Sequence, residues 1–343
     1  MHYFENADII DKIYIYQIGN KYIDEPLVSC NEGIIPEQSI KQDLMCLFVR
    51  QFTRPEYYQF SHDTSLELNE AYVYLRDLLE SPSNSKEQAE YLAQLLYRKS
   101  SHPQIKSGEF YVVCFNNVIL NGETLSAVGL FKSESKESLI NVVQNGNSFE
   151  IEKVNGINKL DKGCLIFNTK KEDGYVVAVV DNTNKSDAKY WVEDFLGVRP
   201  RQDKYFQTQN FMSVCKSFVT KQLPSEFEVS KADQAEILNR SVQYFRENDE
   251  FSMQGFTESV LEHPEVIESF QAYKERYQTE RDIEIEDSFA ISNDAVKKQA
   301  RSFKSVIKLD KNFHIYVHGN RNLIEQGEDE KGRYYKVYYT EEY

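Results

Sequence analysis

Phe110-Tyr111-Val112-Val113-Cys114-Phe115-Asn116-Asn117-Val118-Ile119-Leu120-Asn121-Gly122-Glu123-Thr124-Leu125-Ser126-Ala127-Val128-Gly129-Leu130-Phe131 is the stretch whose reading decides the fold. Two runs rich in β-branched and aromatic side chains flank an Asn-Gly dipeptide. Asn-Gly tolerates the two successive positive φ angles of a tight hairpin turn, so the runs are expected to fold back on each other as antiparallel strands. Downstream, Gly163 to Asn168 and Tyr175 to Asp181 form a second such pair, joined through Lys170-Lys171-Glu172-Asp173-Gly174. Ser148 to Val154 reads as a further strand.

Upstream, Asp11 to Ile18 is β-branched and aromatic and stops at Gly19-Asn20, and a second short strand is expected over Leu27 to Cys30. After Pro36, Ile40, Leu44, Leu47 and Phe48 recur at helical spacing, giving an amphipathic helix to Phe52. Helices are expected over Leu66 to Glu80 and Lys86 to Lys99, separated by Ser81-Pro82-Ser83-Asn84-Ser85. The first part of the chain, residues 1–200, therefore reads as an antiparallel or mixed sheet with helices packed on it.

From Asp187 the pattern changes. Tyr190, Trp191, Phe195 and Leu196 form a short apolar helix face that ends at Gly197, a natural helix stop. Helices follow from Tyr205 to Lys221, from Lys231 to Asn248 with Ser230 as N-cap, and from Pro264 to Glu280 with proline at its first position. A helix over Asn293 to Ser302 precedes strands at Ser305 to Leu309, His314 to His318 and Tyr334 to Tyr339. Residues 201–343 thus read as a helical second domain ending in a small β unit, and the whole as α+β.

With 343 residues, 41% hydrophobic and 13% aromatic, the chain can bury two cores. The amino terminus, Met1-His2-Tyr3-Phe4-Glu5-Asn6, lacks a basic start and an apolar stretch, and no run reaches 18 apolar residues, so a cytoplasmic location without membrane contact is expected. Five cysteines, Cys30, Cys46, Cys114, Cys164 and Cys215, are odd in number and widely spaced, without a C-x-x-C pair. They read as reduced core residues.

The net charge of −15 is unevenly spread. From Pro224 to Asp294 there are eighteen acidic and six basic residues, which leaves the remainder nearly balanced. Near the carboxyl end, Lys297, Lys298, Arg301, Lys304, Lys308 and Lys311 face a single acid, Asp310, within fifteen positions. On a helix, 297, 301 and 304 share a side, so three cations can track a phosphate backbone. The plain alternative is a solvated helix face paired with the acidic segment before it. Arg199, Arg201 and Lys204 form a second candidate, in which a loop presents cations to phosphate. The competing reading pairs these residues with the acidic helices of the second domain. Trp191, at helical spacing with Phe195, reads as core rather than as a platform for bases.

No phosphate-binding glycine loop, dinucleotide fingerprint, HExxH or GxSxG string occurs. His314 and His318 are four apart, but in a strand that spacing is roughly 13 Å, too far for one ion. Glu150, Glu152, Lys153, Asp161 and Asp181 come nearest to the carboxylate-and-lysine set of a divalent-metal nuclease, a spacing that an acidic chain reaches easily by chance.

Ala188 to Gly197, with Phe195-Leu196-Gly197 as its sharpest element, then Arg199, Arg201 and Cys215-Lys216-Ser217-Phe218-Val219, resembles a bacterial nucleoid-associated protein family of about 37 kDa. Ile13 to Ile18, Phe110 to Phe131, Asn158 to Asp161 leading into Gly163-Cys164-Leu165, Asp287-Ser288-Phe289, the helix through Lys298 and Arg301, and Val306 to Asp310 fit the same family. The resemblance implies residence on the nucleoid and binding of double-stranded DNA. It brings no catalytic motif, so a non-enzymatic protein without cofactor or metal is expected, bound to DNA directly or through DNA-bound proteins. The alternative is an acidic adaptor, or a mimic of DNA charge, whose helices, Glu258 to Glu268 among them, contact a basic partner such as a DNA-acting enzyme. The aromatic content allows a homodimer interface, although core packing accounts for the same residues.

Overall fold

The computed structural model describes residues 7–29, 32–52, 56–81, 85–120, 122–146, 148–182, 189–303, 306–309, 312–316 and 323–341. The chain divides into two compact units, Met1–Arg201 and Gln202–Tyr343.

The first unit contains β1 (Asp8–Ile18), α1 (Gln38–Val49), β2 (Tyr57–Phe60), α2 (Glu70–Glu80), α3 (Ser85–Lys99), β3 (Gly108–Leu120), β4 (Glu123–Ser133), β5 (Glu137–Asn145), β6 (Ser148–Gly156), β7 (Lys162–Phe167), β8 (Val176–Asp181) and β9 (Val198–Pro200). Seven of these strands form one sheet in the order β1-β3-β4-β7-β8-β2-β9, and every pairing is antiparallel. The sheet is buried on both faces, which is why its central strands are continuously apolar rather than alternating. Val112, Leu130 and Cys164 face α2 and α3, while Tyr111, Phe131 and Leu165 face α1, where Phe48 stacks on Phe131 at 4.7 Å. Gly129 sits beneath two of these rings, and a Cβ there would lie 2.4 Å from Phe131 and 2.8 Å from Phe115.

The expected hairpin is β3–β4, with Gly122 at φ +86°; Asn121 lies outside the described residues. The second pair, β7–β8, is joined by a short 3-10 turn, Lys171–Asp173, between left-handed Lys170 and Gly174. One expected strand is absent and another forms away from the main sheet. Leu27 to Ser29 forms no strand. Only isolated bridges join Gln17 to Val28 and Ile13 to Ile34, and the five residues between them on one side against three on the other prevent a continuous ladder. The strand over Ser148 to Val154, β6, stands apart from the main sheet and pairs with β5 in a two-stranded ribbon.

The segment Tyr190–Leu196 is helical as expected but wound as a π-helix, the Gly197 N–H reaching the Val192 carbonyl. Gly197 adopts φ +61°, a left-handed conformation that a Cβ disfavours. Asn69 locks this corner. Its amide donates to the carbonyls of Ser61 (3.1 Å), Leu196 (3.0 Å) and Gly197 (3.0 Å), while its side-chain oxygen caps α2 at the Tyr72 N–H (3.0 Å). Trp191 is fully buried between Phe110 and Phe195.

The second unit contains α4 (Lys204–Ser217), α5 (Leu223–Glu226), α6 (Lys231–Glu247), β10 (Glu250–Ser252), α7 (Met253–Phe256), α8 (Pro264–Arg281), β11 (Ser288–Ala290), α9 (Asn293–Ala300), β12 (Val306–Leu309), β13 (Phe313–Tyr316), β14 (Ile324–Asp329) and β15 (Gly332–Val337). Its core is a cluster of rings around Phe211, with Phe251 at 4.2 Å, Phe256 at 5.0 Å and Phe270 at 5.7 Å. Ser230 and Asp233 form a reciprocal capping box at the start of α6. The terminal strands make a separate small core in which Ile307 and Ile324 pack on Ala232 and Ala235 of α6.

The cysteines divide. Cys164 and Cys215 are fully buried, and burial pushes the Cys215 thiol up to about 12. Cys114 is half-buried, whereas Cys46 is exposed on α1, against the expectation of a core residue, because the helix turns that position away from the sheet. Cys30 lies outside the described residues.

Candidate nucleic-acid interface

α9 is docked at its first turn. The Ser292 hydroxyl accepts from the Ala295 N–H, and the Ser292 N–H donates to the Thr208 hydroxyl of α4 at 3.0 Å. Ala295 and Val296 are buried, which turns Lys297, Lys298 and Arg301 outward, and all three are exposed. The Lys298 ammonium donates to the Gln209 amide oxygen at 3.4 Å and lies 5.5 Å from the centroid of Tyr205. Lys204, next to Tyr205, is exposed at the first position of α4, whose N-cap Asp203 accepts from the Tyr205 and Phe206 N–H groups. The structure therefore gathers Lys297, Lys298 and Arg301 on one helix end, with Lys298 leaning onto the helix that carries Lys204.

Two features temper this charge. Lys297 and Lys298 occupy the last turn of α9, where cations also suit the helix dipole, and Asp294 stands one turn earlier on the same side. The acidic segment touches α4 as well, through the Glu286 N–H and the Gln207 amide oxygen at 3.0 Å. Even so, among the described residues no carboxylate forms an ion pair with Lys297 or Arg301. Basic residues within the acidic stretch are engaged there: Lys274 pairs with Asp287 at 2.6 Å, Arg240 pairs with Glu262, and Arg281 covers the Tyr277 ring at 3.7 Å.

The other expected cations are distributed differently. Lys308 lies in β12 opposite His314, and Lys304, Lys311 and His318 lie outside the described residues. Arg199 is exposed on β9, opposite Gln59, in the first unit. Arg201 is half-buried in that unit. Its guanidinium donates to the Tyr175 carbonyl at 3.1 Å and lies 3.8 Å from Asp173, and its N–H donates to Tyr57. Arg201 thus closes the edge of the sheet. The acid it meets is Asp173 of its own unit rather than a residue of the acidic helices.

The five residues of the nuclease-like set are not brought together. Glu150, Glu152 and Lys153 lie on β6, with Lys153 on the opposite face from the two acids. The Asp161 carboxylate accepts from the N–H groups of Glu134 and Ser135, and Asp181 pairs with Lys162 at 3.2 Å. Among the described residues no group of three or more histidine, cysteine, aspartate or glutamate side chains is placed to hold a metal.

A buried charge cluster was not legible in the sequence. Lys132, fully buried, donates to Glu134 at 2.9 Å and to the Tyr190 hydroxyl at 3.0 Å, and Lys162, also buried, lies like Lys132 5.5 Å from the Tyr190 ring centroid. Desolvation holds the Lys132 ammonium below the ordinary lysine range, with the Glu134 carboxylate opposing it. Lys132-Ser133-Glu134-Ser135-Lys136-Glu137 has four charged residues in six and no apolar one. Only the packing of Tyr190 over the end of β4 encloses its first residues.

The fold and these surfaces define an α+β protein of two units, and among the described residues no helix is long and apolar enough to cross a membrane. The chain belongs to a family of nucleoid-associated proteins: the family model described as nucleoid-associated protein YejK matches residues 15–332. No curated protein matches the chain.

Proposed function

We propose that this chain is a non-enzymatic protein of the bacterial nucleoid that binds double-stranded DNA through its phosphates, with Lys297, Lys298 and Arg301 as the principal contacts. The observation that carries the reading is the exposed end of α9, where three cations stand on one side of a helix that Thr208 and Ser292 fix in place. Membership of a nucleoid-associated family supports it. Lys204 extends the same patch, Arg199 is a separate secondary contact on the first unit, the Lys308 side chain lies outside the described residues, and Arg201 serves the sheet edge instead. Contacts of this kind carry no base readout, so binding is sequence-independent.

The test is a salt titration of duplex binding by the parent and by Lys297→Gln/Lys298→Gln/Arg301→Gln. Neutralising one phosphate-binding cation flattens the slope of log K against log salt by roughly 0.9, so the slope of the triple variant is shallower by between about 2 and 3. Equal affinity and slope for the two proteins would remove this patch as the site. A second reading rests on Glu258, Glu265 and Glu268, which are exposed on the acidic segment and suit a basic protein partner. In that case the chain reaches the nucleoid through a protein, and its partners survive nuclease treatment of a lysate.

A further inference from the structure

The ribbon β5–β6 projects two nine-residue strands whose side chains are exposed almost throughout. Residues directly opposite in an antiparallel pair share a face, so the register sorts the ribbon into two unlike sides. One carries Leu139 and Val154, Asn141 and Glu152, Val143 and Glu150. The other carries four rungs: Ser138 with Asn155, Ile140 with Lys153, Val142 with Ile151, and Gln144 with Phe149, the last three holding the apolar side chains. On this second face Ile140 is 69% exposed, Val142 59%, Phe149 70% and Ile151 74%. A contiguous apolar patch of this kind on a chain of net charge −15 calls for a covering partner.

We propose that this face is a self-association surface and that a second copy of the chain covers it, ribbon against ribbon about a two-fold axis. The face holds no carboxylate and a single cation, Lys153. A basic partner finds nothing there to pair with, and a polyanion finds one charge per ribbon. The order of the three apolar-bearing rungs suits a copy of itself turned end for end, because Val142 and Ile151 meet their own counterparts at the axis while the Ile140–Lys153 rung meets the Gln144–Phe149 rung. Lys153 of one copy then lies beside Phe149 of the other, a cation against an aromatic face. The four apolar side chains expose roughly 500 Å² per copy by the usual areas of such residues, hence roughly 1,000 Å² for the pair. That is the lower limit for a specific interface and fits a reversible dimer. The proposal does not depend on DNA binding.

Sedimentation velocity of the full chain between about 1 and 100 µM tests it, beside Val142→Glu/Ile151→Glu. The parent is expected to shift from monomer toward dimer across that range, and the variant to remain monomeric with unchanged Trp191 fluorescence, since both substituted side chains are exposed. A parent monomeric throughout, or a variant that dimerises as the parent does, overturns the proposal. Cross-linking locates the contact. In a Cys30→Ser/Cys46→Ser background, Val142→Cys is expected to give a disulfide-linked dimer on mild oxidation and Asn141→Cys, on the opposite face, is not. Equal cross-linking by both refutes the assigned face. A monomeric parent whose ribbon variant loses duplex affinity makes the ribbon a DNA element and equally sinks self-association.

Discussion

Replacing Lys132 by methionine keeps nearly the same volume while deleting the charge and its donors. Among the described residues the Glu134 side chain, 4% exposed, then keeps only the Tyr190 hydroxyl, 3.5 Å away, and the Lys106 carbonyl loses its ammonium partner. Leaving one member of a buried pair uncompensated costs about 3–5 kcal/mol, a large share of the roughly 5–15 kcal/mol that stabilises a domain. For a unit of about 200 residues, with a urea m-value of about 2–3 kcal/mol/M, the midpoint falls by about 1–2.5 M. The assay is built into the molecule. Trp191 is the chain's single tryptophan and is fully buried in the first unit, so its emission follows that unit while the second unfolds unseen. Lys132→Met/Glu134→Leu removes both charges and is expected to recover half or more of the loss. A midpoint shift of Lys132→Met below about 0.3 M, or a double variant no more stable than the single, refutes the view that the pair is held by mutual compensation.

Two further outcomes are expected. Because burial depresses the Lys132 ammonium below its ordinary value of 10.5, the unfolded chain holds, between the depressed value and 10.5, a proton that the folded chain has shed. Stability conferred on the parent relative to Lys132→Met therefore rises with pH across that window, read from paired urea titrations at increasing pH, and a gap that narrows contradicts the direction of the shift. At the corner after the π-helix, Gly197→Ala forces a Cβ to within 2.6 Å of the Asn69 amide at φ +61° and is expected to cost about 1–3 kcal/mol, seen as earlier loss of Trp191 emission in urea; a neutral result would mean that the corner relaxes freely.

What could be read from residues alone was what neighbouring residues decide. Asn121-Gly122 between two β-branched runs specifies a hairpin whatever surrounds it, Ser230 specifies a helix start, and Gly197 specifies a stop. The family resemblance, carried by Phe195-Leu196-Gly197 and its neighbours, was visible for the same reason, and the family match over residues 15–332 agrees with it. Short strands escaped because their partners are remote: Tyr57 pairs with Ala178, and Glu250 with Ala290. A run of three or four residues carries too little periodicity to declare itself.

Tertiary packing decided everything that concerns exposure. Lys132 and Lys297 are indistinguishable as letters, yet the first is enclosed with Tyr190 while the second faces water because Ala295 and Val296 hold α9 down. Arg201 stands in a basic run, yet the Tyr175 carbonyl and Asp173 engage it. β6 has the composition of a sheet strand, and its place in a free-standing ribbon follows only from its pairing with β5. Local sequence fixes backbone conformation through nearest-neighbour sterics and hydrogen bonds. Burial of a charge or exposure of an isoleucine depends on residues distant in the chain, and for this protein those distant contacts separate candidate binding residues from structural ones.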